Sequence, residues 1–111
     1  ADAERAIDEW LDAAKALERA GAFAVVLERE TSEVARQVTS ALSIPTIGIG
    51  AGPACDAQVL VWQDMAGLRT GRLPKFVKTY GNLRGTLLEA TKAFASDVVS
   101  GSFPDDEHSY R

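Results

Sequence analysis

The stretch Gly21-Ala-Phe-Ala-Val-Val-Leu-Glu28 decides the fold. Six apolar residues run unbroken after a glycine and stop at one carboxylate. A run of this length, rich in β-branched and aromatic residues, reads as a strand over about 22–28 buried on both faces. Strands of that kind belong to parallel sheets covered by helices. In parallel α/β proteins, chemistry is placed at the C-terminal strand ends, where Glu28 falls. A carboxylate behind six apolar residues is a candidate general base if burial raises its pKa. The bland alternative is a strand-end Glu paired with a nearby Arg.

Outward from this strand, the flanks repeat one theme. Upstream, Ala3, Ala6, Ile7, Trp10, Leu11, Ala14 and Leu17 recur at spacings of three and four, which predicts an amphipathic helix over 3–20. Asp8, Glu9, Asp12, Lys15, Glu18 and Arg19 cover its other side. Asp2 suits the cap and Gly21 the left-handed stop. Downstream, Arg29-Glu30-Thr31 form a loop and a second helix spans about 32–42, with Val34, Ala35, Val38, Ala41 and Leu42 as its stripe. Pro45 ends it. Thr46-Ile47-Gly48-Ile49 is the next strand, broken by Gly50-Ala51-Gly52-Pro53. A third strand is expected over Gln58–Trp62, then a turn over 63–67 and a loop with Gly71 and Pro74. A short helix over about 75–80 and a longer one over about 83–100 follow. Leu83, Leu87, Leu88, Phe94, Ala95, Val98 and Val99 face one way on the long helix, Gly101 ends it, and 103–110 is a turn-like tail.

This α-β-α-β order implies parallel strands with right-handed crossovers. Three parallel strands with apolar, exposed edges want further strands beside them. The chain therefore reads as the last part of a larger α/β barrel, one partial domain over 1–111 with a tail at 103–111. It opens inside a helical pattern without an initiator Met, as a fragment or processed product would.

Composition narrows the function classes. With 46% hydrophobic and 25% charged residues the chain is globular rather than disordered. A net charge of −4 argues against nucleic-acid binding driven by overall charge. The charge is uneven: between Asp64 and Glu89 no acid occurs, but Arg69, Arg72, Lys75, Lys78 and Arg84 do. That segment is either a solvated basic face or an anion or subunit contact. Cys55 is the single cysteine, so no intrachain disulfide forms, which fits a reducing, cytoplasmic setting. No apolar run reaches the roughly 20 residues of a membrane span.

Other candidate chemistry is sparse. Gly48-Ile-Gly-Ala-Gly52 at a strand end could let backbone N–H groups approach a ligand, or could be a tight loop needing positive φ. It matches neither the dinucleotide fingerprint nor the P-loop. Cys55 has no base near it in sequence and reads as packing. One Cys and one His are too few for zinc. Asp56 and Asp64 offer oxygens for a hard cation, at no spacing that completes a site. His108 reads as a hydrogen-bond partner within the tail.

Several stretches together resemble ketopantoate hydroxymethyltransferase. They are Gly21–Glu28, Leu42-Ser-Ile-Pro-Thr-Ile-Gly-Ile-Gly-Ala-Gly-Pro53, Cys55-Asp-Ala-Gln-Val-Leu-Val-Trp-Gln-Asp-Met65, Pro74-Lys-Phe-Val-Lys78, Phe103-Pro104 and Glu107-His-Ser109. They fall in family order along nearly the whole chain. The resemblance implies a (β/α)8 TIM barrel of the phosphoenolpyruvate/pyruvate type, of which this chain is about strands six to eight. It implies hydroxymethyl transfer from 5,10-methylenetetrahydrofolate to 2-oxoisovalerate in pantothenate synthesis, with Mg2+ holding the keto acid. Glu28 stands where the family has its proton acceptor. The family's magnesium-binding acids match no segment here, so no metal ligand is assigned. Its members form homo-oligomers, decamers in the family. The chain alone is expected to be inactive without a complementing N-terminal half. The alternative from another class is a stand-alone, non-catalytic half-barrel that acts as a self-association module. Two local departures stand out. Arg29-Glu30-Thr31 replace small or apolar residues with Val and Pro, and Ala57 replaces a Gly.

Overall fold

The computed structural model describes residues 2–111, with side chains from Glu4 onward. The order of elements is α1 (Asp2–Arg19), β1 (Val25–Glu28), α2 (Ser32–Ala41), β2 (Thr46–Ile49), β3 (Ala57–Gln58), α3 (Trp62–Met65) and α4 (Leu83–Ser100). The chain divides into two compact units, Ala1–Leu60 and Val61–Arg111. Among the described residues, no helix is long and apolar enough to cross a membrane.

The first unit is an α/β layer built on a three-stranded sheet of order β1-β2-β3 with both pairings parallel. Val25 pairs with Thr46 and Leu27 with Gly48, so these four residues share the face toward the helices. There Val25, Leu27, Ala14, Val34, Ala35, Val38 and Ala51 form the core, with Ile7, Trp10, Leu11, Leu42, Ile44 and Cys55 packed against it. Leu27 and Val38 are the largest apolar side chains fully removed from water, each burial stabilising by about 1.5–3 kcal/mol.

Helix ends follow the expected chemistry. Gly21, at φ 102°, stops α1. Its N–H reaches Glu18 O at 3.1 Å and that of Ala22 reaches Leu17 O at 3.1 Å, the paired bonds of a Schellman stop. Thr31 starts α2, its Oγ1 accepting from Val34 N at 3.3 Å. The cap expected of Asp2, and Ala3 on the stripe, lie outside the described side chains.

Three expectations are corrected. β1 is not buried on both faces: Val25 and Leu27 are buried, but Val26 is 56% exposed and Glu28 is exposed. Within the first unit, α1 and α2 pack against one face of the sheet, and alternate side chains along the strand point to the other. The third strand is shorter than Gln58–Trp62. Ladder pairing covers Ala57–Gln58, one more bond runs from Val59 N to Gly48 O at 3.0 Å, and Trp62 already begins α3. β3 has a hydrogen-bonding neighbour on one side only, so propensity alone does not extend it. No helix forms over 75–80. Val77 N donates to Pro74 O at 3.0 Å and closes a single turn. One smaller change concerns Glu18, which is not merely solvated. It accepts from Ser43 N at 3.2 Å and Ser43 Oγ at 2.5 Å, tying α1 to the loop before β2.

In the second unit, Asn82 caps α4 by accepting from Gly85 N at 3.2 Å, and Gly101 ends it at φ 82°. No α4 residue is buried, and Leu87, Leu88, Phe94 and Val98 are about half exposed. The tail folds back on the helix, with Phe103 edge-on to Phe94 at 5.7 Å between ring centroids.

Candidate functional site

The candidate site is built at the C-terminal ends of β1 and β2. The parallel register places Glu28 beside Ile49, and Val26 beside Ile47. These four side chains share the face opposite α1 and α2. Glu28 is therefore the only charged group on an otherwise apolar strip. The desolvation expected behind six apolar residues is not supplied by this chain, because the carboxylate is exposed.

The backbone turns sharply at the next residue. Arg29 is the one described non-glycine residue with positive φ, at 53°. Its N–H still reaches Ile49 O at 2.9 Å, so the ladder extends one bond past the strand before the chain leaves the sheet. A left-handed non-glycine residue costs about 1–2 kcal/mol, and such strain gathers where a site must hold its shape.

The glycine-rich segment after β2 behaves as a tight loop. Gly50 and Gly52 have φ of 67° and 77°, and between them Ala51 is turned into the core. Gly48 is a strand residue on the helix side. A Cβ there would lie 2.9 Å from Cys55 Sγ, so Cys55 occupies that space as packing, as expected. Gln58 Nε2 donates to Gly52 O at 2.9 Å and fixes the loop.

The two aspartates weighed for a hard cation are both engaged elsewhere. Asp56 sits at the opposite, N-terminal end of the strands. Its Oδ2 accepts from Thr46 N at 2.9 Å, and its own N–H donates to Thr46 Oγ1 at 3.2 Å. Thr46, fully buried, also meets Thr39 Oγ1 at 2.8 Å. This is a clasp between the starts of β2 and β3. Asp64, in the second unit, is buried and lies 3.4 Å from Arg69 Nη1. His108 is a tail partner, as read from sequence: its Nδ1 lies 2.5 Å from Asp105 Oδ1, and its ring meets Phe103 at 5.7 Å. Glu107 joins Asp105 and His108 in a group whose candidate ligand atoms lie within 4.8 Å, all exposed, a proximity the sequence spacing did not disclose. Ala57 lies in β3 without positive φ.

The family described as ketopantoate hydroxymethyltransferase matches residues 1–106. A 3-methyl-2-oxobutanoate hydroxymethyltransferase of Streptomyces coelicolor is 60% identical over 106 residues, covering 96% of this chain and 36% of that protein. Its counterpart in Nocardioides sp. is 60% identical over 97 residues, 87% of this chain and 33% of the relative. That of Thermobifida fusca is 57% identical over 107 residues, 96% of this chain and 38% of the relative. The chain thus spans little more than a third of the curated relatives it matches. With the family model matching residues 1–106, the chain belongs to the ketopantoate hydroxymethyltransferase family.

Proposed function

We propose that this chain supplies the proton acceptor for hydroxymethyl transfer from 5,10-methylenetetrahydrofolate to 2-oxoisovalerate, giving ketopantoate. The observation that carries the reading is Glu28 at the C-terminal end of a parallel strand, exposed on the face opposite α1 and α2, in a chain of this family. In this reading both units belong to the last part of a (β/α)8 barrel. The strip Val26, Ile47 and Ile49 then faces the remaining strands, which also supply the dry surroundings that Glu28 lacks here.

Glu28 takes the proton from C3 of the keto acid, and the C–H electron pair becomes the enolate. C3 then bonds to the one-carbon unit as that unit leaves the folate nitrogens. Water supplies the hydroxyl oxygen, and the proton on Glu28 together with one from water restores the two N–H groups of tetrahydrofolate. General-base catalysis of this kind contributes roughly 10²–10⁴-fold.

Mg2+, expected from the resemblance, does not fit the two aspartates weighed for it from the sequence. Asp56 is committed to Thr46 at the opposite end of the strands, and Asp64 lies against Arg69. No step is routed through the metal. Its ligands are assigned to the part of the relatives that this chain does not match.

The test is a chimera in which the unmatched N-terminal part of the Streptomyces coelicolor relative is joined to this chain. The chimera should convert 2-oxoisovalerate and 5,10-methylenetetrahydrofolate to ketopantoate, and the 111-residue chain alone should not. A folded chimera without activity overturns the reading. A second reading, self-association without catalysis, draws on the exposed apolar residues Val26, Val59, Leu87, Phe94 and Val98. It requires the isolated chain to form a defined oligomer in sedimentation while the chimera stays inactive.

A further inference from the structure

We propose that the loop between α3 and α4 is a docking site for a chain of carboxylates, namely the glutamyl tail of the folate donor. The identity of that donor rests on the function proposed above. The binding chemistry rests on the loop itself.

Residues 68–82 contain no regular secondary structure, yet their ends are fastened. Tyr80 N donates to Met65 O at 2.8 Å, Leu83 N to Ala66 O at 2.9 Å and Arg84 N to Gly67 O at 3.1 Å. The neck leaves no room for side chains. Gly67 is at φ 79°, and a Cβ there would lie 2.1 Å from Gly81 O. Leu73, Pro74, Phe76 and Val77 are half-buried, whereas Arg72, Lys75 and Lys78 are exposed. A surface loop closed at its neck and carrying half-buried apolar side chains follows the pattern of a functional Ω-loop, and long ordered loops are seldom passive.

Its charge is one-signed. Arg69, Arg72, Lys75, Lys78 and Arg84 lie in a run without an acid, in a chain of net charge −4. A merely solvating surface intersperses both signs. Arg69 is turned to Asp64 and the Lys78 ammonium sits 5.0 Å from the centre of the Tyr80 ring, which leaves Lys78 still exposed beside Arg72 and Lys75. Arg72, Lys75 and Lys78 recur every three residues, at most about 10 Å apart along the backbone. A flexible oligomer with one carboxylate per unit can meet them in turn, whereas a single carboxylate meets one. Nucleic acid is disfavoured by the negative net charge and the small footprint.

The experiment titrates the 111-residue chain with tetra-γ-glutamate, free glutamate and a twelve-residue oligothymidylate at low and moderate salt. The tetra-γ-glutamate should bind at least about tenfold tighter than glutamate, and weaken as salt rises. In the variant Arg72→Gln/Lys75→Gln/Lys78→Gln this advantage should disappear, with an unchanged circular dichroism spectrum. Equal binding of glutamate and its tetramer, an unaffected triple variant, or tighter binding of the oligothymidylate each overturns the proposal. Glu28→Gln should leave this binding unchanged. Loss of the reaction reading at Glu28 and loss of the loop site are therefore separately visible.

Discussion

Replacing Gly52 by alanine should be among the most damaging single-methyl additions to this chain, and the reason is local. Gly52 sits at φ 77°, where a side chain costs about 1–2 kcal/mol. Its Cβ would lie 1.9 Å from Ser32 Oγ, 2.8 Å from Ser32 Cβ and 3.0 Å from Ser32 Cα. Rotating the Ser32 hydroxyl relieves the first contact but not the other two, which belong to the fixed first turn of α2. Forcing them apart adds about 1–3 kcal/mol. Gly21→Ala is the control. Gly21 is also left-handed, at φ 102°, but nothing lies within 4 Å of its Cβ position, so only the conformational part applies. Urea unfolding followed by Trp10 fluorescence in a Trp62→Phe background measures both, because Trp10 packs against the core of the same unit. The expected losses are about 3 kcal/mol for Gly52→Ala and about 1–2 kcal/mol for Gly21→Ala. In a Ser32→Gly background the cost of Gly52→Ala should drop by about 1 kcal/mol or more. Equal losses at the two glycines, or no rescue by Ser32→Gly, would refute the reasoning.

Other outcomes follow from the same structure. Thr46→Val keeps the shape but leaves Thr39 Oγ1 and Asp56 N–H without their shared partner, and should cost about 1–3 kcal/mol in the same unfolding assay. Asn82→Ala removes the acceptor for Gly85 N at the start of α4 and should cost about 1 kcal/mol, read as lost helical signal in thermal melts. Glu33 is held below its ordinary pKa of 4.5, first by the hydrogen bond from Arg36 and next by that from Gln37. A lowered folded-state pKa gives stability that is present above the unfolded value and lost as pH falls through the folded one. Stability should thus decline on acidification below about pH 4.5, and Glu33→Gln should flatten that limb. A slope unchanged by Glu33→Gln would assign the decline to other carboxylates.

Much of the fold could be read where local chemistry decides it. Gly21, Pro45 and Gly101 bound helices whose apolar spacing is regular, and Thr46–Ile49 was recovered to the residue. What could not be read depends on partners. Leu60 and Val61 have strand propensity, but the register carries them past Ile49, where β2 ends. Lys75–Tyr80 carries a helix-like apolar spacing, but Pro74 and the glycine neck hold that segment in a closed loop. The position of Glu28 at a strand end was legible from the apolar run before it. Its exposure was not, because burial depends on which surfaces meet the sheet. The roles of Asp56 and Thr46 were hidden for a similar reason: ten residues separate them in sequence, and only the parallel register brings them together.

The central claim is that Glu28 removes the C3 proton of 2-oxoisovalerate. The most direct test is exchange of that proton for deuterium, followed by proton NMR in D2O without folate, using the chimera that completes the chain. The Glu28 protein should exchange the proton, and Glu28→Gln should slow exchange by about 100-fold or more with an unchanged melting temperature. Exchange at the same rate in both proteins would contradict the account.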